Sequence, residues 1–158
     1  MAEKMYDLLI IGDNCYHGSP TMFAKIRRAL AFAAEIPTEI MRIESEDGDE
    51  ISLEVPDLSG YDLVEANIYG EWDTPPPDPI LYLLAHSDEK GVIQEEHMIP
   101  LIARIAELEP IAHEIIEERD GVEAAQLISH RLQRFAEQLA MAYENHRVVE
   151  FRLEPVYP

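Results

Sequence analysis

The sequence predicts an α/β or α+β fold: a small, mostly N-terminal β-sheet with one packed helix, a helical C-terminal half and a final strand. Three observations predict it. Short apolar runs bounded by Gly, Pro and Asp dominate the chain before residue 71. Apolar residues then recur at helical spacing from Met98 to Ala142. The stretch Val148-Val149-Glu150-Phe151-Arg152-Leu153 closes the pattern as a strand returning to the sheet.

The elements follow in order. Asp7-Leu8-Leu9-Ile10-Ile11-Gly12-Asp13 predicts a buried strand, because an apolar run ends abruptly at Gly and Asp. After the loop Asn14 to Gly18, Ser19-Pro20 reads as an N-cap with proline at the first helical position, where its missing N–H costs nothing. Met22, Phe23, Ile26, Leu30 and Ala33 keep helical spacing through about Ala34. Pro37 to Ile43 and Glu50 to Val55 predict two strands joined through Asp47-Gly48, a pair that favours positive φ. Tyr61 to Tyr69 predicts a further strand, closed by Gly70.

Glu71 to Pro79 is the clearest loop, since Pro75-Pro76-Pro77 excludes helix and favours an extended polyproline segment. It presents Trp72, either as a binding anchor or as cover for the edge of a core. The apolar run Ile80 to Ala85 then ends in the polar turn His86-Ser87-Asp88, followed by Gly91 and Val92-Ile93. Leu101, Ile102, Ile105 and Leu108 form an apolar stripe that Ile111, Ile115 and Ile116 continue. Pro100 and Pro110 each remove a backbone donor and predict short helices in place of one rod. Asp120-Gly121 predicts a turn, and Ile128, Leu132, Phe135, Leu139 and Ala142 carry the last helix. The expected organisation is a single domain, 1–158. Its parts are a sheet at about 5–70, a Pro-rich loop at 71–79, a mainly helical part at 80–146 and a closing strand at 147–154.

Charge is the dominant compositional fact. Thirty-two carboxylates stand against twelve Lys and Arg, for a formal net charge of −20. Such a surface repels nucleic acid and anionic membranes, and suits a basic protein partner. A strongly solvated, salt-adapted surface or imitation of the charge of DNA are the other readings. The apolar runs are far too short to span a bilayer, and no cationic start precedes an apolar block. The single cysteine, Cys15, rules out an internal disulfide framework. A cytoplasmic protein is therefore expected.

The candidate catalytic residues are Asp13 and His17 in the first loop, with His86 and Asp88 in the second. Brought together, the two loops would make a His/carboxylate set for acid–base work. Cys15, ahead of a helix start, is a weaker nucleophile candidate. Adjacency of His86, Ser87 and Asp88 makes no triad, because neighbours on an extended segment point apart. Calcium is unfavourable: aligned on Gly91 as the sixth position of an EF-hand loop, the fifth ligand falls on Lys90 and the twelfth on His97. No metal site and no cofactor are expected. The candidate binding residues are Trp72, His86, Asp88, Glu95 and Glu96.

Pro79-Ile80-Leu81, then His86-Ser87-Asp88, Gly91, Ile93 and Leu101-Ile102-Ala103-Arg104, resemble a set of small uncharacterised proteins of bacteria, especially actinobacteria, and of their phages. These look like (His/Phe)-Ser-Asp-Cys-(Asp/Glu)-Gly-x-Ile followed by a helix. Phe23, Arg27, Leu30 and Ala31 are similar to their upstream helix, and Glu89 and Lys90 depart from their turn. The resemblance implies no activity, cofactor or substrate. It implies a recurring turn-and-helix unit and a phage or bacterial source.

The expected function is a non-enzymatic acidic binding or regulatory protein, phage-encoded and acting on a basic or host protein. A surplus apolar face on the helices would add a homodimer. The competing class is a small hydrolase or nucleotide-processing enzyme, with its site between the 13–17 and 86–88 loops.

Overall fold

In the computed structural model of the chain, which describes residues 6–12, 16–44, 48, 50–64, 71–85 and 91–156, Ser19 caps the first helix as its position predicts. Its hydroxyl accepts a hydrogen bond from the Met22 N–H at 3.0 Å, and Pro20 opens the helix α1 (Pro20–Ala33). Phe23, Ile26, Leu30 and Ala33 are buried along one face. The helix ends in a Schellman motif. The Ile36 N–H reaches the Ala31 carbonyl, the Glu35 N–H reaches that of Phe32, and Glu35 sits at φ 59°.

Before α1 come β1 (Tyr6–Ile11) and the short β2 (Tyr16–Gly18). The strand β6 (Val149–Val156) returns to pair antiparallel along the whole of β1, from Tyr6 opposite Val156 to Ile11 opposite Phe151. The two-residue β5 (Val92–Ile93) pairs with the other side of β6, giving a four-stranded sheet in the order β2-β1-β6-β5. All its pairs are antiparallel, so the architecture is α+β. The expected closing strand does return to the sheet.

The second pair of strands behaves differently. β3 (Thr38–Glu44) and β4 (Glu50–Pro56) pair as the Asp47-Gly48 pattern predicts, but form a separate two-stranded ribbon beside α1. Arg28 of α1 holds that ribbon through Glu54 at 3.0 Å and reaches Asp120 at 2.7 Å. Tyr61 to Val64, the described part of the strand expected at Tyr61–Tyr69, is irregular, and 65–70 lie outside the described residues. Tyr61 instead donates its N–H to the Leu58 carbonyl, in a turn that also satisfies Asp57 with the Ser59 N–H.

The C-terminal half corrects the sequence reading at its prolines. After the four-residue α2 (Leu81–Leu84), α3 runs unbroken from Glu95 to Asp120, with Pro100 and Pro110 inside it. Proline at 100 or 110 leaves the carbonyl of Glu96 or Ala106 without its donor. All four residues are exposed, so both prolines and the carbonyls they orphan lie on the solvent side while the opposite face stays packed. That face, Met98, Leu101, Ile105, Leu108, Ala112 and Ile116, meets Ile128, Leu132, Phe135 and Leu139 of α4 (Val122–Glu144) in the core. Gly121 alone connects the two helices, at φ 101° and ψ 168°, a region essentially reserved for glycine.

Candidate functional site

The loops that carry most of the predicted chemistry are fixed at their roots by β6. The Gly12 N–H donates to the Glu150 carbonyl at 2.7 Å, and the Phe151 N–H donates to the Gly91 carbonyl at 2.8 Å. In register terms, Ile11 and Gly91 flank Phe151 from its two sides. β1 reaches this row with its C-terminal end, and β5 starts beside it. Asp13, Cys15, His86, Ser87 and Asp88 themselves lie outside the described residues. His17 stands on β2 opposite Ile10; its side chain is also outside the description.

Two of the predicted binding residues, Trp72 and Glu96, stand beside two rings that sequence reasoning passed over. Tyr82 of α2 stacks on His97 with ring centroids 4.2 Å apart and planes 8° apart. Trp72 meets Tyr82 edge-on at 5.3 Å, covering the core with part of its surface. His97 is 7% exposed. Burial holds its imidazole below its ordinary value, with the nearby Glu96 carboxylate opposing that effect. Burial, reinforced by Glu96, raises the Tyr82 phenol. Glu95 accepts a hydrogen bond at 2.6 Å from His146 Nδ1 when that nitrogen carries a proton. Glu96 is open to solvent, its carboxylate 3.7 Å from His97 Nε2, too far for a good hydrogen bond. No sequence spacing announces the Tyr82–His97 pair, which joins α2 to α3.

A second missed constellation lies between α3 and α4. His113 Nδ1 and the Ser129 hydroxyl are 2.7 Å apart, and Glu117 is 3.5 Å from Nε2. The groups occur in the order of a nucleophile relay. Ser129, however, is turned into the seam between two helices and is 8% exposed, which denies a substrate approach. Its place is that of an inter-helix tie.

Four arginines are paired with carboxylates of the same molecule. Arg28 serves Glu54 and Asp120, Arg104 serves Asp78 and Glu107, Arg42 is paired with Glu50 and Arg152 with Glu154. Thr38 and then Arg28 hold the Glu54 carboxyl below its ordinary value. Arg28 and Arg119 both lie over the Phe32 ring, at 4.9 and 4.2 Å. By contrast, Glu39, Glu114, Glu118 and Glu123 are exposed and make no ion pair among the described residues.

Two openings adjoin this surface. A cleft of about 410 Å³ separates α1 from the ribbon, between Thr21 and Ala24 on one side and Glu39, Met41, Leu53 and Val55 on the other. A smaller one, about 210 Å³, sits at the corner between α4 and β6, by Gly12, Asn145, Arg147 and Glu150. Among the described residues no group of three or more His, Cys, Asp or Glu side chains is arranged to hold a metal ion. No described helix is long and apolar enough to cross a membrane. No protein-family model, curated protein or solved structure matches the chain.

Proposed function

We propose that this protein is a non-enzymatic acidic binding protein that acts on a basic protein partner. The observation that carries this reading is the fate of its charges. The chain has a formal net charge of −20, and Arg28 and Arg104 spend their charge on carboxylates of the same molecule. The exposed Glu39, Glu114 and Glu118 are left to face solvent. Such a surface steers cations inward over long distances and disfavours polyanions.

The test is recovery of the tagged protein from its host's lysate at low salt, followed by native mass spectrometry. The expected result is a stoichiometric basic protein that dissociates as salt is raised, because exposed charge pairs are screened within a Debye length of about 10 Å at 0.1 M. A bound metal or small molecule with no protein partner would overturn the reading. It would return attention to a small hydrolase or nucleotide-processing site between the 13–17 and 86–88 loops.

A further inference from the structure

We propose that the outer edge of β3 is the docking site for that partner, and that its occupant is an extended, basic and apolar segment adding to the ribbon as a third strand. The proposal rests on the acidic-binding reading and says where and how the partner is held.

Backbone parity supplies the first argument. The Asp57 N–H donates to the Pro37 carbonyl at 2.7 Å, in the same register that sets Thr38 opposite Pro56. Position 37 is therefore a hydrogen-bonded position of the ladder, and so by alternation are 39, 41 and 43. The N–H and C=O groups of Thr38, Ile40, Arg42 and Glu44 point the other way, out of the ribbon. Among the described residues no strand pairs with that edge.

Exposure supplies the second. Glu39, Ile40, Met41 and Arg42 are all exposed, although their side chains alternate between the two faces. Ile40 is 61% exposed and Met41 45%. A strand laid beside β3 would cover both. On one face its apolar side chains would sit over Met41, at the mouth of the cleft that runs under Leu53 and Val55 to Ala24. Extended partners bind in this way, with backbone pairing giving affinity and a pocket for alternate side chains giving selectivity.

Charge selects the occupant. Glu39 lines the cleft without an ion pair among the described residues; of the cations nearby, Arg27, which also lines it, lies over the Phe23 and Phe151 rings, and Arg42 is already paired with Glu50 at 4.0 Å. A second copy would bring another −20 to the same edge, so self-pairing is opposed. Glu39 and Arg42 flank Ile40-Met41 as the charged residues that guard edges against indiscriminate pairing. A segment carrying Lys or Arg beside Glu39 and an apolar residue beside Met41 meets neither objection.

The probes are synthetic octapeptides that alternate Lys or Arg with Val, Ile or Leu, read by fluorescence polarisation at low salt. Each is compared with two derivatives, N-methylated on one or the other alternate set of amides. The expected result is binding that one N-methylated derivative loses by about tenfold or more while the other keeps it, since only one alternate set of amides donates to the β3 edge. The variant Ile40→Pro, which deletes an outward N–H without touching the β3–β4 ladder, should weaken binding similarly. Equal binding of both derivatives overturns strand addition and leaves the acidic-binding reading standing. Failure of every basic peptide to bind overturns both. If Ile40→Pro fails to fold, the methylated pair still decides.

Discussion

Arg104 grips Asp78 with two parallel hydrogen bonds, Nε to Oδ1 and Nη2 to Oδ2, each 3.0 Å long. Asp78 closes the Pro-rich loop and also accepts the Ile80 N–H at 2.9 Å, so one carboxylate starts α2 and ties it to α3. Both side chains are partly buried, and the paired Asp78 raises the Arg104 guanidinium above its ordinary value. A fork of this kind needs a planar donor. Arg104→Ala is expected to cost about 1–3 kcal/mol in urea unfolding. Arg104→Lys should recover only part of it. Trp72, the chain's single tryptophan, lies in that loop, so its fluorescence should shift in the Ala variant. An unchanged midpoint and spectrum would show the fork to be dispensable.

The buried His97 makes stability depend on pH in a definite direction. Its folded pKa lies below the ordinary 6.5, so the unfolded chain takes up a proton that the folded chain resists. The contribution is complete above pH 6.5 and declines as the pH falls from there towards the folded value. His97→Phe keeps a ring against Tyr82 and should flatten the stability profile below about pH 6.5. A variant whose profile matches the parent's would place the dependence elsewhere.

Two helices end with a side chain where glycine is favoured. Glu35 and His146 occupy the left-handed position of Schellman motifs at φ 59° and 55°. In the second motif, the Arg147 N–H bonds the Ala142 carbonyl and the His146 N–H that of Tyr143. Glu35 is exposed and makes no ion pair among the described residues, while His146 lies 2.6 Å from Glu95. Glu35→Gly should therefore stabilise the protein by about 1 kcal/mol. His146→Gly should gain less, since it also removes the Glu95 contact. Thermal unfolding of the two variants side by side checks the ranking.

Pro110 lies in the middle of α3 on its solvent face. Pro110→Ala restores a donor for the Ala106 carbonyl and should stabilise by about 1–3 kcal/mol, with a small gain in helical circular dichroism. No gain would mean that the proline's restriction of the unfolded chain offsets its cost in the helix.

The same prolines show where reading from sequence runs out. Ser19-Pro20, the β3–β4 pairing and the positive φ of Gly48 were legible because caps and hairpins are built from neighbouring residues. The closing strand was legible because Val149, Phe151 and Leu153 alternate, and the helical stripes placed Leu101, Ile105, Leu132 and Phe135 correctly in the core. Pro100 and Pro110 misled because breaking power depends on which way the orphaned carbonyl faces, a tertiary fact. Separation of the β3–β4 ribbon from the main sheet was equally hidden, since local pattern does not say which strands share a sheet. The candidate site was less legible still. The Tyr82–His97 stack was hidden because it joins rings of two different helices that no local spacing connects. The open edge of β3 had a readable precursor in the alternation around Asp47-Gly48; exposure of both Ile40 and Met41 did not.

The pairing of β1 with β6 also orders events in time. Leu9 and Ile11 are fully buried in the native state, yet β6, their neighbour in the sheet, is the last of the described elements in the chain. The α3–α4 hairpin, joined through Gly121, gathers contacts between sequence neighbours and can assemble quickly. The sheet must instead close a loop spanning nearly all of the described chain. On a ribosome β1 therefore emerges long before β6, and its edge on that side stays open until β6 is made. Nascent-chain quality control should find its main target there, and the rate at which β6 docks sets how long that exposure lasts.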